Sequence, residues 1–342
     1  MHISTRDALL SGVPQLRRAY TRDAMTFDQA TVDSAGAFLQ GELERFDARP
    51  YEPLFTTTWS RDVDLRTDVT LADEFTSFAL LQYGAQGNTR PGGKSWVGRT
   101  SNVIGSTSVD LEKQVSPMNT WARQAMWSVP ELARAQQLAR PIDTLKMQVI
   151  EEAWDIETDE QVYIGDTDLG VTGLVNRPGV ATANVTGGTW ATKVTTDAGR
   201  QALLADVNDL LNASWAATGW KYVPTKLLLP PVQFGLIAST FVTSAGNVSV
   251  MEFLKQNSLT LSITGRPLDI QPLKWLTAAA RGAGSDRMVA YTQDEKIVRF
   301  PRVGLQNIPL QYRDLHHVAT KWGQMGVVEI PYPEAIAYRD GL

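Results

Sequence analysis

The apolar positions in the middle of the chain follow helical spacing and predict one long helix, from Val129 to Glu157. Ser128 and Glu131 form a capping box at its start. We expect Pro141 to kink or split the helix. Four apolar residues, three or four positions apart, predict its core face: Leu138, Ile142, Leu145 and Val149.

Other segments predict shorter elements. A second apolar stripe predicts a helix over 199–218, and Ser249 caps a short helix over 250–257. The segment "YVPTKLLLPPVQF" predicts a short, wholly apolar and buried strand that Pro230 and Pro231 stop. Alternating or Thr- and Val-rich segments predict further strands: 53–71, 259–265, 288–293, 296–301 and 324–341. We expect helical order to begin near Asn119. Together these patterns predict a mixed α+β fold.

Two segments are poor in large apolar residues. Residues 1–53 are polar and weakly periodic, so they predict an arm that needs another surface to become ordered. Residues 80–118 are rich in glycine and predict a long β-hairpin with a loose tip. Neither segment could build a core alone.

A glycine-dense segment, "VYIGDTDLGVTGLVNRPGV", follows the predicted long helix. Its glycine spacing does not match a dinucleotide fingerprint, and Asp166 and Asp168 lack the closing Glu of a calcium loop. We therefore expect a structural corner, in which 174–175 return to the core before a second turn. The residues expected to shape this corner are Gly165, Asp166, Gly170, Gly173 and Asn176.

Composition excludes several kinds of chemistry. The 342-residue chain has no cysteine, three histidines and a formal net charge of −5. Thiolate nucleophiles and disulfides are therefore absent, and no basic run is long enough to predict ordinary nucleic-acid binding. The adjacent His316 and His317 point in different directions and favour a partly exposed pair over a metal site. No apolar run predicts a membrane span, and the N-terminus does not read as a secretory signal.

One segment partly matches the motif of a phosphate-binding loop. Gly87–Ser95 reads "GNTRPGGKS", but it has one residue too many between its outer glycines, and no helix pattern follows it. A nucleotide-dependent enzyme built on this loop is a distant alternative. Because no other catalytic motif assembles, we expect no enzymatic activity and no cofactor.

The segment "EEAWDIETDEQVYIGDTDLGVTGLVNRPGV" resembles the major capsid proteins of tailed bacteriophages, which have the Hong Kong 97-type fold. In that family a spine helix runs into a Gly-Asp segment and a Gly-Leu-x-Asn turn, matched here by Gly165-Asp166 and by 173–176. The ending is similar to that family's closing strands, with a Pro-x-Ala turn at 333–335. The strand Leu227–Pro231 also matches one branch of the family.

The resemblance implies an order of parts along the chain. These parts are an N-terminal arm (1–53), an extended loop (54–118), a peripheral domain with the spine helix (119–180), an axial domain (181–284) and return strands of the peripheral domain (285–342). It also implies that the tip of the extended loop contacts other subunits. The tip residues are Arg90, Gly92, Gly93, Lys94 and Trp96.

The implied function is structural. Copies of the chain would assemble as pentamers and hexamers into an icosahedral head that encloses double-stranded DNA without sequence-specific binding. Scaffolding, portal and decoration proteins are the expected further partners, with synthesis in the host cytoplasm and a final place in the virion. The alternatives are an encapsulin-like bacterial compartment, which shares the fold, and another virion part such as a tail protein.

Overall fold

A computed structural model describes residues 55–85, 99, 107–137, 142–242 and 248–342. The predicted arm, 1–53, lies outside these residues. The described helices are α1 (Trp59–Asp62), α2 (Val129–Gln137), α3 (Ile142–Tyr163), α4 (Trp190–Lys193), α5 (Asp197–Ala217), α6 (Pro231–Ser239), α7 (Val250–Asn257), α8 (Leu259–Thr264) and α9 (Ala278–Arg281).

The described strands alternate with these helices and complete an α+β fold. They are β1 (Asp64–Arg66), β2 (Phe75–Ala85), β3 (Thr107–Pro117), β4 (Asn119–Ser128), β5 (Gly165–Asp166), β6 (Val171–Thr172), β7 (Ala181–Asn184), β8 (Lys226–Leu229), β9 (Phe241–Val242), β10 (Val248–Ser249), β11 (Asp269–Pro272), β12 (Arg287–Tyr291), β13 (Arg299–Asn307), β14 (Gln311–Arg313), β15 (His316–Met325) and β16 (Ile336–Asp340).

The first five-stranded sheet lies against the long helix α3. Its strand order is β1-β13-β15-β14, and β4 pairs antiparallel with β15 along the full length of both strands. Ile150 of α3 is buried in one cluster with Trp127 of β4 and Ala319 of β15. A helix with one apolar stripe needs such a surface along its length.

The second five-stranded sheet has central strands that are buried on both faces. Its order is β11-β8-β12-β16-β7. Leu227 and Leu229 of β8 pack with the apolar stripe of α5, whereas Leu228 faces the core shared with Tyr163 at the end of α3. Burial on both faces explains the continuous apolar sequence of β8. The predicted helix over 199–218 and the predicted buried strand before Pro230 are confirmed.

The C-terminal segment contributes to both sheets. Strands β13, β14 and β15 belong to the first sheet, whereas β12 and β16 pair with each other in the second. The last strand therefore ends beside β7, to which it runs parallel. Residues 285–342 thus connect the two sheets and do not form one unit.

Three predicted elements are wrong. Residues 119–128 form a strand and not the start of a helix, because their alternate residues face α3 and β15 supplies a ladder on one edge. Residues 259–264 form a helix and not a strand, since Ser258 accepts a hydrogen bond from the Leu261 amide and Gly265 ends the helix in a left-handed conformation. The predicted strands over 53–71 reduce to β1, preceded by α1.

The predicted long helix differs in its bounds. The Ser128–Glu131 capping box is confirmed: the Glu131 amide donates to Ser128 Oγ over 3.3 Å, and the Ser128 amide donates to a Glu131 carboxylate oxygen over 3.4 Å. The helix that it starts is described as far as Gln137, and α3 begins at Ile142. Residues 138–141 lie outside the described part. Helix α3 continues six residues past the predicted end.

Candidate assembly surfaces

The extended hairpin is a two-stranded sheet of its own. Strands β2 and β3 pair antiparallel over eleven residues each, from Phe75 opposite Pro117 to Ala85 opposite Thr107. Neither strand pairs with another strand of the described residues. A two-stranded ribbon of this kind is marginally stable in water, so it needs a further surface.

The two faces of the hairpin differ in chemistry. Residues directly opposite each other share a face, and one face therefore combines odd-numbered positions of both strands. This apolar hairpin face has five side chains that are more than half exposed: Phe75, Leu81, Val109, Leu111 and Val115. The other face carries polar groups toward the tip, where Gln82 donates a hydrogen bond to Glu112. An exposed apolar strip beside a polar one is the pattern of an interaction surface.

The predicted tip of this hairpin lies outside the described residues. It comprises Arg90, Gly92, Gly93, Lys94 and Trp96. The segment Gly87–Ser95, which partly matches a phosphate-binding loop, also lies outside the described residues. The expected role of the tip therefore stays a prediction.

The predicted core stripe of α3 is wrong at the two positions that can be assessed. Leu145 is 39% exposed and Val149 is 59% exposed. With Met126 of β4 they line a groove of about 390 Å³ on the surface. The side chains of Leu138 and Ile142 are not among those described.

The face of α3 that is buried carries polar residues, which is why apolar spacing misplaces it. Ile150 and Trp154 are buried, but the next turns contribute Thr158 and Asp159, both fully buried. Asp159 accepts hydrogen bonds from the backbone amide of Trp59 over 3.0 Å and from the Trp275 indole over 2.6 Å. Helix α3 is therefore fixed by hydrogen bonds as well as by apolar packing.

The glycine-dense segment forms a tight corner after α3. Gly165 has φ of 82°, and Gly170 has φ of 66°, both in the left-handed region. A Cβ on Gly173 would lie 2.3 Å from the backbone of Tyr163. Asn176 closes the corner, because its Oδ1 accepts from the Gly173 amide and its Nδ2 donates to the Ile164 carbonyl, each over 2.7 Å.

The side chain of Asp166, the remaining predicted corner residue, shapes the loop itself. Its Oδ1 accepts a hydrogen bond from the Asp168 amide over 2.8 Å, an Asx-type turn. The chain then returns to the core at Leu174 and Val175, which are fully buried. The geometry is that of a backbone reversal between α3 and the second sheet.

A buried charge cluster, which the sequence analysis missed, joins α1, α3 and β8. Asp62 is fully buried and receives two hydrogen bonds from Arg61, one from the Tyr163 hydroxyl over 2.5 Å and an ion pair from Lys226 over 3.1 Å. Lys226 also donates to the Arg61 carbonyl over 2.6 Å. These residues are far apart in sequence, and only the fold brings them together.

Burial within this cluster changes the acidity of two tyrosines. Burial, and then the charge of Asp62, raises the pKa of the Tyr163 hydroxyl well above its ordinary value. The same causes raise the pKa of Tyr291, whose hydroxyl donates to the Asp62 carbonyl over 2.6 Å. Both hydroxyls therefore stay protonated and act as hydrogen-bond donors.

The described residues contain no group of three or more His, Asp or Glu side chains placed to hold a metal ion. His317 stacks on Trp127 with ring centroids 6.4 Å apart, and His316 is exposed. In the same part of the chain, no helix has both the length and the apolar character that crossing a membrane requires. The features that stand out are the exposed apolar surfaces.

A family model described as "Major capsid protein" matches residues 92–342, which is most of the chain. The chain belongs to the major capsid protein family. It is a structural subunit of a phage head, and its place is in the virion. No curated protein sequence matches it.

Solved capsid structures share the fold at low sequence identity. The capsid of Myoviridae phage XM1 is 18% identical with a TM-score of 0.72, over 88% of this chain and 98% of that one. Gordonia phage Cozz gives 12% identity and a TM-score of 0.56, over 94% and 97%. The capsid of the native GTA particle is 12% identical with a TM-score of 0.56, and the match covers 92% of this chain and 99% of that one.

These findings confirm the α+β, Hong Kong 97-type fold and the capsid family that the resemblance implied. They favour a subunit of a phage head over the bacterial compartment that the sequence left as an alternative. In a capsid protein the functional site is the surface between subunits. The apolar hairpin face and the groove at Leu145 and Val149 are two described surfaces with that character.

Proposed function

We propose that this major capsid protein assembles with copies of itself, as pentamers and hexamers, into an icosahedral head that encloses double-stranded DNA. The observation that carries this proposal is the apolar hairpin face. Ordering its residues costs about 1–2 kcal/mol of backbone entropy each, and within the described residues nothing covers the face to offset that cost. A neighbouring subunit supplies the missing surface.

The parts of the fold receive the following assignments. The first sheet with α3 forms the peripheral domain and the second sheet with α4–α9 forms the axial domain. Because β12 and β16 pair in the second sheet, we assign 287–291 and 336–340 to the axial domain and not to the return strands. The arm, 1–53, and the hairpin tip reach adjacent subunits.

The chain's charge suits a DNA container. With a net charge of −5, the subunit does not hold the genome by a broad basic surface, which would impede packing and release. The DNA is therefore enclosed without sequence-specific contacts. We assign no enzymatic activity to the subunit, and its further partners are scaffolding, portal and decoration proteins in the host cytoplasm.

A pair of matched substitutions tests the role of the hairpin. Leu111→Asp places a charge on the apolar hairpin face, and Gln114→Asp places the same charge on the opposite face of the same strand. We expect both variants to fold with melting temperatures near that of the unaltered subunit, since both side chains are exposed. Only Leu111→Asp should abolish particles in sedimentation, because a new charge would be buried between subunits.

The proposal is contradicted if Leu111→Asp forms particles in the same yield as the unaltered protein. A loss of particles in both variants would also contradict it, since the effect would then come from charge in general and not from the apolar face.

A further inference from the structure

A cavity of about 360 Å³ lies beside the corner that follows α3. Three arginines line it: Arg177 from the corner, Arg281 from the end of α9 and Arg287 from the start of β12. Residues 176–180 and Tyr338 also line it. Three different elements therefore each contribute an arginine to the lining of one cavity.

The positive charge around this cavity is only partly balanced. Asp340 accepts two hydrogen bonds from Arg287, over 2.6 and 2.7 Å, and one from Arg281 over 3.2 Å. One carboxylate thus serves two guanidinium groups. Within the described part of the chain, the Arg177 side chain makes one weak hydrogen bond, 3.5 Å to the Thr172 hydroxyl. Among the described residues, one carboxylate, that of Asp340, forms ion pairs with any of these three arginines, and its partners are Arg281 and Arg287.

Arg281 has a largely buried side chain but retains donors that other groups do not use. Its side chain is 8% exposed, and its Nη1 is shared between Asp340 and the Ser285 carbonyl. Its Nε and Nη2 donate to no other group among the described residues. Burial, and then the nearby charge of Arg287, lowers the pKa of Arg281. Neither Nε nor Nη2 is among the buried atoms that lack a partner, so both reach solvent and can donate to an anion in the cavity.

We propose that this cavity binds a phosphate group, with Arg281 and Arg177 as its direct ligands. Arg287 is a positioning residue: Asp340 holds its guanidinium, which also donates to the Val175 carbonyl over 2.7 Å. The two unbalanced positive charges match the charge of about −1.5 to −2 of a phosphate monoester at neutral pH. A single carboxylate would leave one of them unbalanced. Guanidinium forks also fit the oxygen geometry of phosphate.

The phosphate has two possible sources, free phosphate in solution or the backbone of nucleic acid. The site stands on the geometry of the single subunit, so it does not depend on shell assembly. Failure of the assembly experiment and failure of this one are therefore distinguishable.

Isothermal titration calorimetry tests the site. The full-length subunit is titrated with inorganic phosphate and, as a comparison, with chloride at equal ionic strength. We expect saturable binding that Arg281→Ala and Arg177→Ala each weaken about tenfold or more, because each removes a charge-assisted hydrogen bond. Arg266→Ala is the matched control, since Arg266 is exposed and does not line the cavity. Its affinity should equal that of the unaltered subunit.

A short DNA duplex added to the phosphate-loaded subunit separates the two sources. Displacement of phosphate identifies the nucleic-acid backbone as the ligand, and retention identifies free phosphate; both support a phosphate site. The proposal is overturned if phosphate binds no better than chloride, if acetate binds equally well, or if the Arg177→Ala subunit keeps full affinity. Because Arg177 is only half-buried, that variant serves even if Arg281→Ala does not fold.

Discussion

Asp62 is a buried carboxylate that holds several elements of this subunit together. It joins α1 to α3 through Tyr163 and to β8 through Lys226, and neither ion-pair partner in the Asp62–Lys226 contact is more than 2% exposed. Removing one member of a buried pair leaves the other charge without compensation. The cluster therefore fixes the chain entering the first sheet against the second sheet.

We expect Asp62→Ala to lower the free energy of unfolding by about 3–5 kcal/mol. The control is Arg123→Ala, which breaks the pair with Glu157, in which both side chains are more than one-third exposed. That variant should cost less than about 1 kcal/mol. Urea denaturation of the free subunit measures both. If both variants lost the same free energy of unfolding, burial would not make the Asp62 pair more stabilising than the exposed pair.

The buried tyrosines predict loss of stability at alkaline pH. The pKa values of Tyr163 and Tyr291 are raised in the folded subunit, and burial also raises that of Tyr338. Their contribution is complete below the unfolded pKa of about 10 and declines as the pH rises above it. Each tyrosine that ionises only on unfolding lowers the free energy of unfolding by about 1.4 kcal/mol per pH unit.

Denaturation of the subunit at pH 8 to 11 measures this decline. The Tyr291→Phe variant should show a smaller slope above pH 10, because one ionisable group is removed, although its stability at pH 8 is lower. A slope that is unchanged by the substitution would exclude Tyr291 from the effect.

At the scale of elements, the corner after α3 depends on glycine for steric reasons. A Cβ at Gly173 would overlap the Tyr163 backbone, so Gly173→Ala should destabilise the subunit by more than 1 kcal/mol. Gly235, inside α6, has open space around it, and Gly235→Ala should stabilise by about 0.5–1 kcal/mol. Thermal denaturation compares the two. Destabilisation by Gly235→Ala, or none by Gly173→Ala, would contradict this account.

The sequence correctly predicts those elements whose core-facing residues are almost all apolar. Helix α5 and strand β8 are of this kind. Most of their buried positions are apolar, and the exceptions include Asp206 and Lys226. Helix α3 is different: its buried face includes Thr158 and Asp159, while Leu145 and Val149 face outward. Apolar spacing then selects the wrong face, since surfaces for a partner subunit and surfaces for the core look alike in sequence.

The candidate site divides in the same way. Glycine spacing predicts the corner, because a backbone reversal is encoded locally. The hairpin is predicted as an element, but its apolar face depends on the register between β2 and β3. The Asp62 cluster and the three-arginine cavity depend on contacts between residues more than 100 positions apart, such as Arg287 and Val175, and no local pattern marks them.

At the scale of the whole molecule, the described part of the subunit is a pair of packed sheets with an exposed apolar hairpin. The two sheets share a core around Tyr163, Phe300 and Tyr338, which holds the frame together. The hairpin has no such support within the described residues. We therefore expect the subunit to be complete only when neighbouring copies surround it.

Electron microscopy of the purified protein over a range of concentrations tests this claim most directly. The account predicts closed particles with five-fold vertices, which appear above a threshold concentration as the hairpin is buried between copies. A population of single subunits that stays unchanged at every concentration, with the hairpin ordered in isolation, would contradict it.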